Sequence, residues 1–297
     1  MSMEPVYNPF TVRPTTAIYK SPAIALQNVI RDQFHFTTWL LIGGLIQGLA
    51  HVFLPYRNIV LVLPLILFFT YKLANTALIL LGVLPNPNMA DVIPYRTAPV
   101  FPSSSGLQEK AGAQTICAIL VGVVSHHPLG MLGPGFKETG DRFNVFVKEF
   151  SANASAYGFL GASSWLNATE RTGSNEYAAI LYFENEDYLH KFAHSEFHNE
   201  TLRWWRDNEK NMKHIGIMHE VFACPKNGWE GMYINYHPTG LGSASKEVTD
   251  VDGRKTWVNP LVKAKGKLAY SKGRMGRAFG DKEWEAHTAY LNATEEV

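Results

Sequence analysis

Two long apolar runs near the start of the chain constrain its fold more than any other feature. Phe36 to Leu54 (FTTWLLIGGLIQGLAHVFL) carries no formal charge, and as a helix it is just long enough to cross about 30 Å of hydrocarbon. Pro55-Tyr56-Arg57-Asn58 then reads as a tight turn. Ile59 to Leu84 follows as a second apolar run, interrupted by Pro64 and Lys72. Arg57 and Lys72 are the charged residues of the whole stretch from Phe36 to Leu84. Neither run has an amphipathic face to show water, so a transmembrane helical hairpin over residues 36–84 is expected. Gln47, His51 and Lys72 leave a second option open, that of buried soluble helices or a re-entrant hairpin. The first run is too long for a signal core and is followed by another run, so no cleavable signal peptide is read here.

A hairpin returns the chain to its starting side. Arg13, Lys20 and Arg31 lie in the N-terminal segment (residues 1–35), whereas the turn carries Arg57 alone. The positive-inside bias then places both ends in the cytosol, with the hairpin in the endoplasmic reticulum or another endomembrane. Four Asn-x-Ser/Thr sequons, at Asn153, Asn167, Asn199 and Asn292, pull the other way. Residues 85–112 carry Pro85, Pro87, Pro94, Pro99 and Pro102, then Ser103-Ser104-Ser105-Gly106. They read as an extended linker that propagates neither helix nor sheet.

The mean hydropathy of −0.09 averages an apolar hairpin with a polar remainder and describes neither. Over 297 residues, 46% are apolar and 18% charged, which excludes a disordered chain. A net charge of +1 argues against nucleic acid as a partner. Two cysteines exclude a disulfide scaffold and a Cys-based zinc framework.

Residues 113–240 read as one α+β domain. Thr115–Ser125 is a β-branched strand, apolar on both faces, and Phe136–Phe150 repeats aromatic residues at helical spacing. Tyr157–Leu166 and Glu176–Phe183 form a probable hairpin of strands. Asn185 caps a helix expected to run unbroken to about Met212. His214–Ala223 is a fourth strand, and Trp229–His237 is a further extended segment. This order is the split βαβ, ferredoxin-like unit. Its usual sheet order makes Cys117 and Cys224 neighbours, read as two buried thiols. Helices cover one sheet face. A partner's sheet is the simplest cover for the other, so a homodimer is expected.

The strongest chemical signal lies on the second helix. At 100° per residue, His190, His194 and His198 fall at 0°, 40° and 80°, beside Phe197, Trp204 and Trp205. Histidines four apart on one face can form a proton relay or share a metal. Glu196 and Glu200 point away, so no metal site is read. His219 alternates onto an apolar face of the fourth strand. Trp165 and Asn167 close the second strand, and Tyr233 and Tyr236 lie on the fifth segment. Each alone is more often structural; together they make an aromatic cavity with a few polar groups, suited to a small apolar substrate. No dinucleotide fingerprint, Gly-x-Ser-x-Gly elbow or Cys/His pair at catalytic spacing is present.

Three stretches resemble a known family: Asn86-Pro-Asn-Met-Ala-Asp-Val-Ile-Pro-Tyr95, Leu189-His-Lys-Phe-Ala-His194 with His198 and Trp204-Trp205, and Trp229 to Gly240. They are similar to fungal monooxygenase-like proteins of the dimeric α/β-barrel superfamily, found in secondary-metabolite biosynthesis clusters. The resemblance covers residues 85 to 245. It implies a ferredoxin-like dimeric barrel and a role in tailoring a polyketide or terpenoid skeleton. In cofactor-independent oxygenases of that superfamily a deprotonated substrate itself reduces dioxygen, so no cofactor is expected. The protein then supplies a base (His194, His198 or His219), donors (Trp165, Asn167) and a water-poor cavity formed with His190, Phe197, Trp204, Trp205 and Tyr233. A haem-dependent dehydratase, a non-oxidative cyclase and a membrane scaffold carrying lipophilic intermediates remain alternatives. Residues 241–297 lose periodicity and include a basic run (Lys263, Lys265, Lys267, Lys272, Arg274, Arg277). It reads as a solvated tail or as a contact with the anionic leaflet.

Overall fold

In a computed structural model the described residues are 3–14, 30–31, 33–103, 106–166, 176–249, 253–277, 286 and 289. The chain divides into two units. One is centred on residues 23–91, and the other joins residues 1–22 to the chain from residue 92 onward.

The first unit holds helices α1 (Phe36–Phe53) and α2 (Arg57–Leu80). Neither helix has a buried residue, so both leave their leucines and phenylalanines uncovered by this chain. Tyr56 turns the chain in the left-handed region, at φ 58°. Pro64 has no N–H, so it frees the Val60 carbonyl one turn earlier in α2. The Gln47 amide of α1 donates to that oxygen at 3.0 Å and to Leu61 O at 2.9 Å. The polar residue that looked out of place in an apolar helix therefore satisfies the carbonyl its neighbour leaves open. Lys72 sets its ammonium 5.5 Å from the Phe68 ring.

The second unit is built on a four-stranded antiparallel sheet. After strand β1 (Ile93–Pro99) come β2 (Ile116–Ser125), helix α3 (Phe136–Ala152), β3 (Phe159–Leu166) and β4 (Glu176–Phe183). Helices α4 (Glu186–Ala193) and α5 (Glu196–Asn208) precede β5 (Ile215–Cys224). The spatial order β3–β4–β2–β5 is that of the split βαβ unit. Odd-numbered residues of β2 face the helices. Cys117, with Ile119 and Val121, packs with Phe150, Phe183, Leu189 and Phe192. At the centre, Phe150 is 2% exposed and its ring centroid lies 4.5 Å from that of Phe192.

The single long helix expected after Asn185 is broken. His194 ends α4, and Ser195 starts α5 by accepting the His198 N–H on its Oγ at 3.2 Å. Serine competes for backbone donors and so favours a cap over a helix interior. The wheel drawn through His190, His194 and His198 fails at that break.

Residues 85–112 also depart from a tether. β1 is the central strand of a second sheet, ordered β6–β1–β9, where β6 is Tyr233–Tyr236 and β9 is Leu261–Lys263. Pro94 falls in a register shift and Pro99 ends the strand, two places where a missing N–H is tolerated. The basic segment after residue 240 is largely structured. Besides β9 it forms a hairpin of β7 (Lys246–Thr249) and β8 (Lys255–Val258). Its cations are partly consumed inside the fold. Lys263 and Lys265 pair with Glu4, and Arg274, 7% exposed, donates to Glu230 and to the carbonyls of Leu268 and Ala269.

Residues 3–14 join the same unit, bridging Pro5 to Val262 and Phe10 to Trp257. Arg13, counted above as a charge flanking the membrane, instead stacks on the rings of Phe159 and Trp257 at 5.1 and 5.3 Å. Because segments before and after the hairpin fold into one unit, an odd number of membrane crossings between them is ruled out by connectivity.

Candidate functional site

Side chains directly opposite in an antiparallel pair share a face, so the register defines what the helix-free side of the sheet carries. On β2 it carries Ala118, Leu120, Gly122 and Val124, and on β4 Ala178, Ile180 and Tyr182. β3 adds Ser163 and Trp165, and β5 adds Met218, Glu220 and Phe222. One end of this face is closed by segments outside the strands, where Phe101, Trp229 and Ala244 pack together with Ile116, Leu160 and Tyr182 of the sheet. The remainder is open. Trp165, Met218 and Phe222 are 46%, 42% and 51% exposed, a large uncovered apolar surface for one sheet. Gly122 shapes it, since a Cβ there would meet Met218 Cγ at 2.9 Å and push that methionine from its place across β2.

Where the open area meets the closed end, a polar chain crosses the face. Trp165 Nε1 donates to Ser163 Oγ at 3.0 Å, and the Ser163 and Tyr182 side chains are hydrogen-bonded in turn. Tyr233 Oη accepts the Gly242 N–H at 2.9 Å. Both phenol oxygens converge on Gly240 (φ +54°), lying 3.3 and 3.5 Å from where a Cβ would sit. Burial pushes the Tyr233 hydroxyl up to about 12, partly offset by the Gly242 amide, and burial also raises Tyr182. A phenol is protonated at neutral pH without such help, so both hydroxyls can donate there. That chemistry suits a ligand with an oxygen to be hydrogen-bonded and an apolar skeleton to be covered.

The structure scatters the histidines. His190 and His194 are exposed on the helix side. His198 is half-buried there, its ring centroid 5.1 Å from Phe192 and 5.8 Å from Phe146. Its Nδ1 meets the Ala193 carbonyl at 2.9 Å, and a carbonyl only accepts, so Nδ1 carries the hydrogen. His219 pairs opposite Val121 and so points to the helix side of β5, where it is exposed. None of the four shares a face with Trp165. Phe197 packs in the main core, 5.1 Å from Phe146. Trp204 and Trp205 pack against Phe136, Met212 and Ile215, with the Arg142 guanidinium 4.2 Å from Trp204. Of the residues singled out in the sequence, Trp165 and Tyr233 come together at the polar chain, while Asn167 lies outside the described residues. Ser163, Tyr182 and Glu220 were missed, although strand alternation sets each on the face of Trp165. Cys117 and Cys224 are free thiols on adjacent strands with side chains on opposite faces, and burial pushes Cys117 up to about 11. Among the described residues no group of three His, Cys, Asp or Glu side chains is placed to hold a metal.

The chain belongs to the family described as monooxygenase af470-like, whose sequence pattern matches residues 116–241. That match spans the four-stranded sheet, its helices and β6. A curated relative, monooxygenase af470 of Aspergillus fumigatus, is 31% identical over 279 residues, covering 93% of this chain and 98% of that protein. Its length therefore includes counterparts of the apolar hairpin and of the C-terminal strands. An aldoxime dehydratase crystallised with butyraldoxime aligns over 50% of this chain and 39% of its own, at 15% identity and a TM-score of 0.37. A putative antibiotic biosynthesis monooxygenase from Bacillus cereus aligns over 37% of this chain and 92% of its own, at 17% identity and a TM-score of 0.22. Both scores are too low to carry substrate or mechanism across.

Proposed function

We propose that this protein is a monooxygenase that acts on an apolar polyketide or terpenoid intermediate of fungal secondary metabolism, bound over the open face of the four-stranded sheet. The observation that carries this reading is the pairing of an uncovered apolar surface (Trp165, Met218, Phe222) with the Trp165–Ser163–Tyr182 donor chain. The apolar residues strip water from the ligand. The Tyr182 and Tyr233 hydroxyls supply hydrogen bonds to an oxygen that gains negative charge during reaction. A second copy of the chain covers the face in a homodimer and closes the site. No resident cofactor is assigned: the deprotonated substrate supplies all four electrons, one atom of dioxygen entering the product and the other leaving as water. The hairpin holds the enzyme in an endomembrane with the folded unit on the cytosolic side, where an apolar intermediate is concentrated.

The test begins with the compound that accumulates when the gene is deleted. Purified full-length protein, incubated with that compound under isotopically labelled dioxygen, is expected to return a product bearing one labelled oxygen atom. Conversion without dioxygen, or without label, refutes the monooxygenase reading.

A further inference from the structure

One residue of the open face is out of keeping with its surroundings. Glu220 sits opposite Leu120 in the β2–β5 register, and on its own strand Met218 and Phe222 flank it on the same side. The diagonal neighbours across β2 are Ala118 and Gly122. The other titratable groups set on this face by the register are Tyr182, Glu176 and Cys224, and none is a cation. Among the described residues Glu220 has no hydrogen-bond or ion-pair partner. Elsewhere in this unit most carboxylates near the fold's joints are answered: Glu184 by Lys246, Glu247 by Lys255, Glu230 by Arg274 and Glu4 by two lysines.

We propose that Glu220 is a specificity-determining residue of the open-face site, where its carboxylate accepts a hydrogen bond from a hydroxyl on the apolar ligand. The inference rests on the open face being the ligand site. A ligand lying over Trp165, Met218 and Phe222 takes water from Glu220, and a carboxylate losing water among apolar neighbours needs a donor in its place. A hydroxyl supplies that donor and a methyl ether does not. The site thereby rejects the ether by leaving a charged acceptor unanswered, a stronger discrimination than an apolar pocket achieves by fit.

β-Naphthol and its methyl ether are suitable probes, because they differ in the one proton at issue. Their affinities for the full-length protein in detergent are measured by fluorescence titration. The wild type is expected to bind the naphthol about tenfold more tightly than the ether. Glu220→Leu should abolish that preference, chiefly by tightening the ether several-fold toward the naphthol, because the unanswered acceptor is gone. Glu220→Gln, which keeps shape and polarity without charge, should reduce the preference to about threefold. Equal binding of both probes by the wild type overturns the role of Glu220. If Trp165→Ala then weakens both probes, the open-face site itself stands. If Trp165→Ala changes nothing, or neither probe binds, both readings fail together. Glu220 on an edge strand could instead serve only to discourage strand pairing. In that case Glu220→Leu forms assemblies larger than the homodimer and the probe preference is unchanged from wild type, which also refutes the proposal.

Discussion

Replacing Tyr233 with phenylalanine removes one oxygen from the polar chain and has a calculable, pH-dependent effect. At neutral pH the Gly242 N–H loses one acceptor but keeps another, since it also donates to Thr239 O at 2.8 Å. The cost of that loss is therefore below about 1 kcal/mol, less than for a buried amide left with no acceptor. Alkaline pH reverses the comparison. Burial raises the Tyr233 hydroxyl from its ordinary value of 10.0 to about 12, so the folded protein holds its proton after the unfolded chain has released it. A group with a raised folded pKa that is neutral when protonated contributes stability below the unfolded pKa and loses it as pH climbs toward the folded one. By pH 11 the wild type should have lost about 1.4 kcal/mol on this account relative to neutral pH, a loss Tyr233→Phe escapes. The two stability curves should therefore cross below about pH 11, with the variant less stable on the neutral side of the crossing and more stable on the alkaline side. Thermal unfolding followed by intrinsic fluorescence in small pH steps resolves the difference, since about 1 kcal/mol shifts Tm by roughly 2–4 °C in a domain of this size. Parallel curves for the two proteins would refute the burial assigned to Tyr233.

Other substitutions test other parts of the structure. Phe150→Ala empties the aromatic core among Phe159, Phe183 and Phe192 and should cost about 3–5 kcal/mol, lowering Tm by about 10 °C. Gln47→Leu should weaken the hairpin by about 1 kcal/mol in detergent denaturation, and by less in a Pro64→Ala background, where Val60 O regains its helical donor. Equal losses in the two backgrounds would contradict the link between Gln47 and Pro64. Arg13→Met should be neutral or stabilising by thermal denaturation. Desolvation already pulls that guanidinium down to about 10, its Nε has no partner among the described residues, and its bonds to Phe159 O and Leu160 O are long at 3.5 and 3.3 Å. A loss above about 2 kcal/mol would show that its stacking on Phe159 and Trp257 outweighs the burial cost.

What the sequence disclosed and what it hid divide along local and non-local lines. Period-two and period-3.6 patterns located β2, α3, β3, β4 and β5 to within a residue or two, and their order implied the sheet order observed. The hairpin helices were equally plain, since apolar residues dominate every side of them and polar ones such as Gln47 and Lys72 are isolated. Ser195 was harder: a helical wheel has no term for a side chain that prefers to cap, and the break it makes dispersed the histidines. β1 was hidden by its prolines, whose harm depends on a ladder partner the sequence does not reveal. Arg13, Lys263 and Arg274 looked like surface charge because their partners lie far along the chain. On β5, attention went to His219, while alternation had already set Glu220 on the opposite side with Trp165. An edge strand has two faces to offer, and only the helix packing says which of them remains open.

The central claim is that ligand binds on the helix-free face of the sheet. Hydrogen–deuterium exchange of the full-length protein, with and without the compound that accumulates on gene deletion, tests it most directly. Protection confined to β2, β3 and β5 around Leu120, Trp165 and Glu220 is the predicted result. Protection at α4 and α5 around His194 and His198, with the strands unchanged, would contradict it.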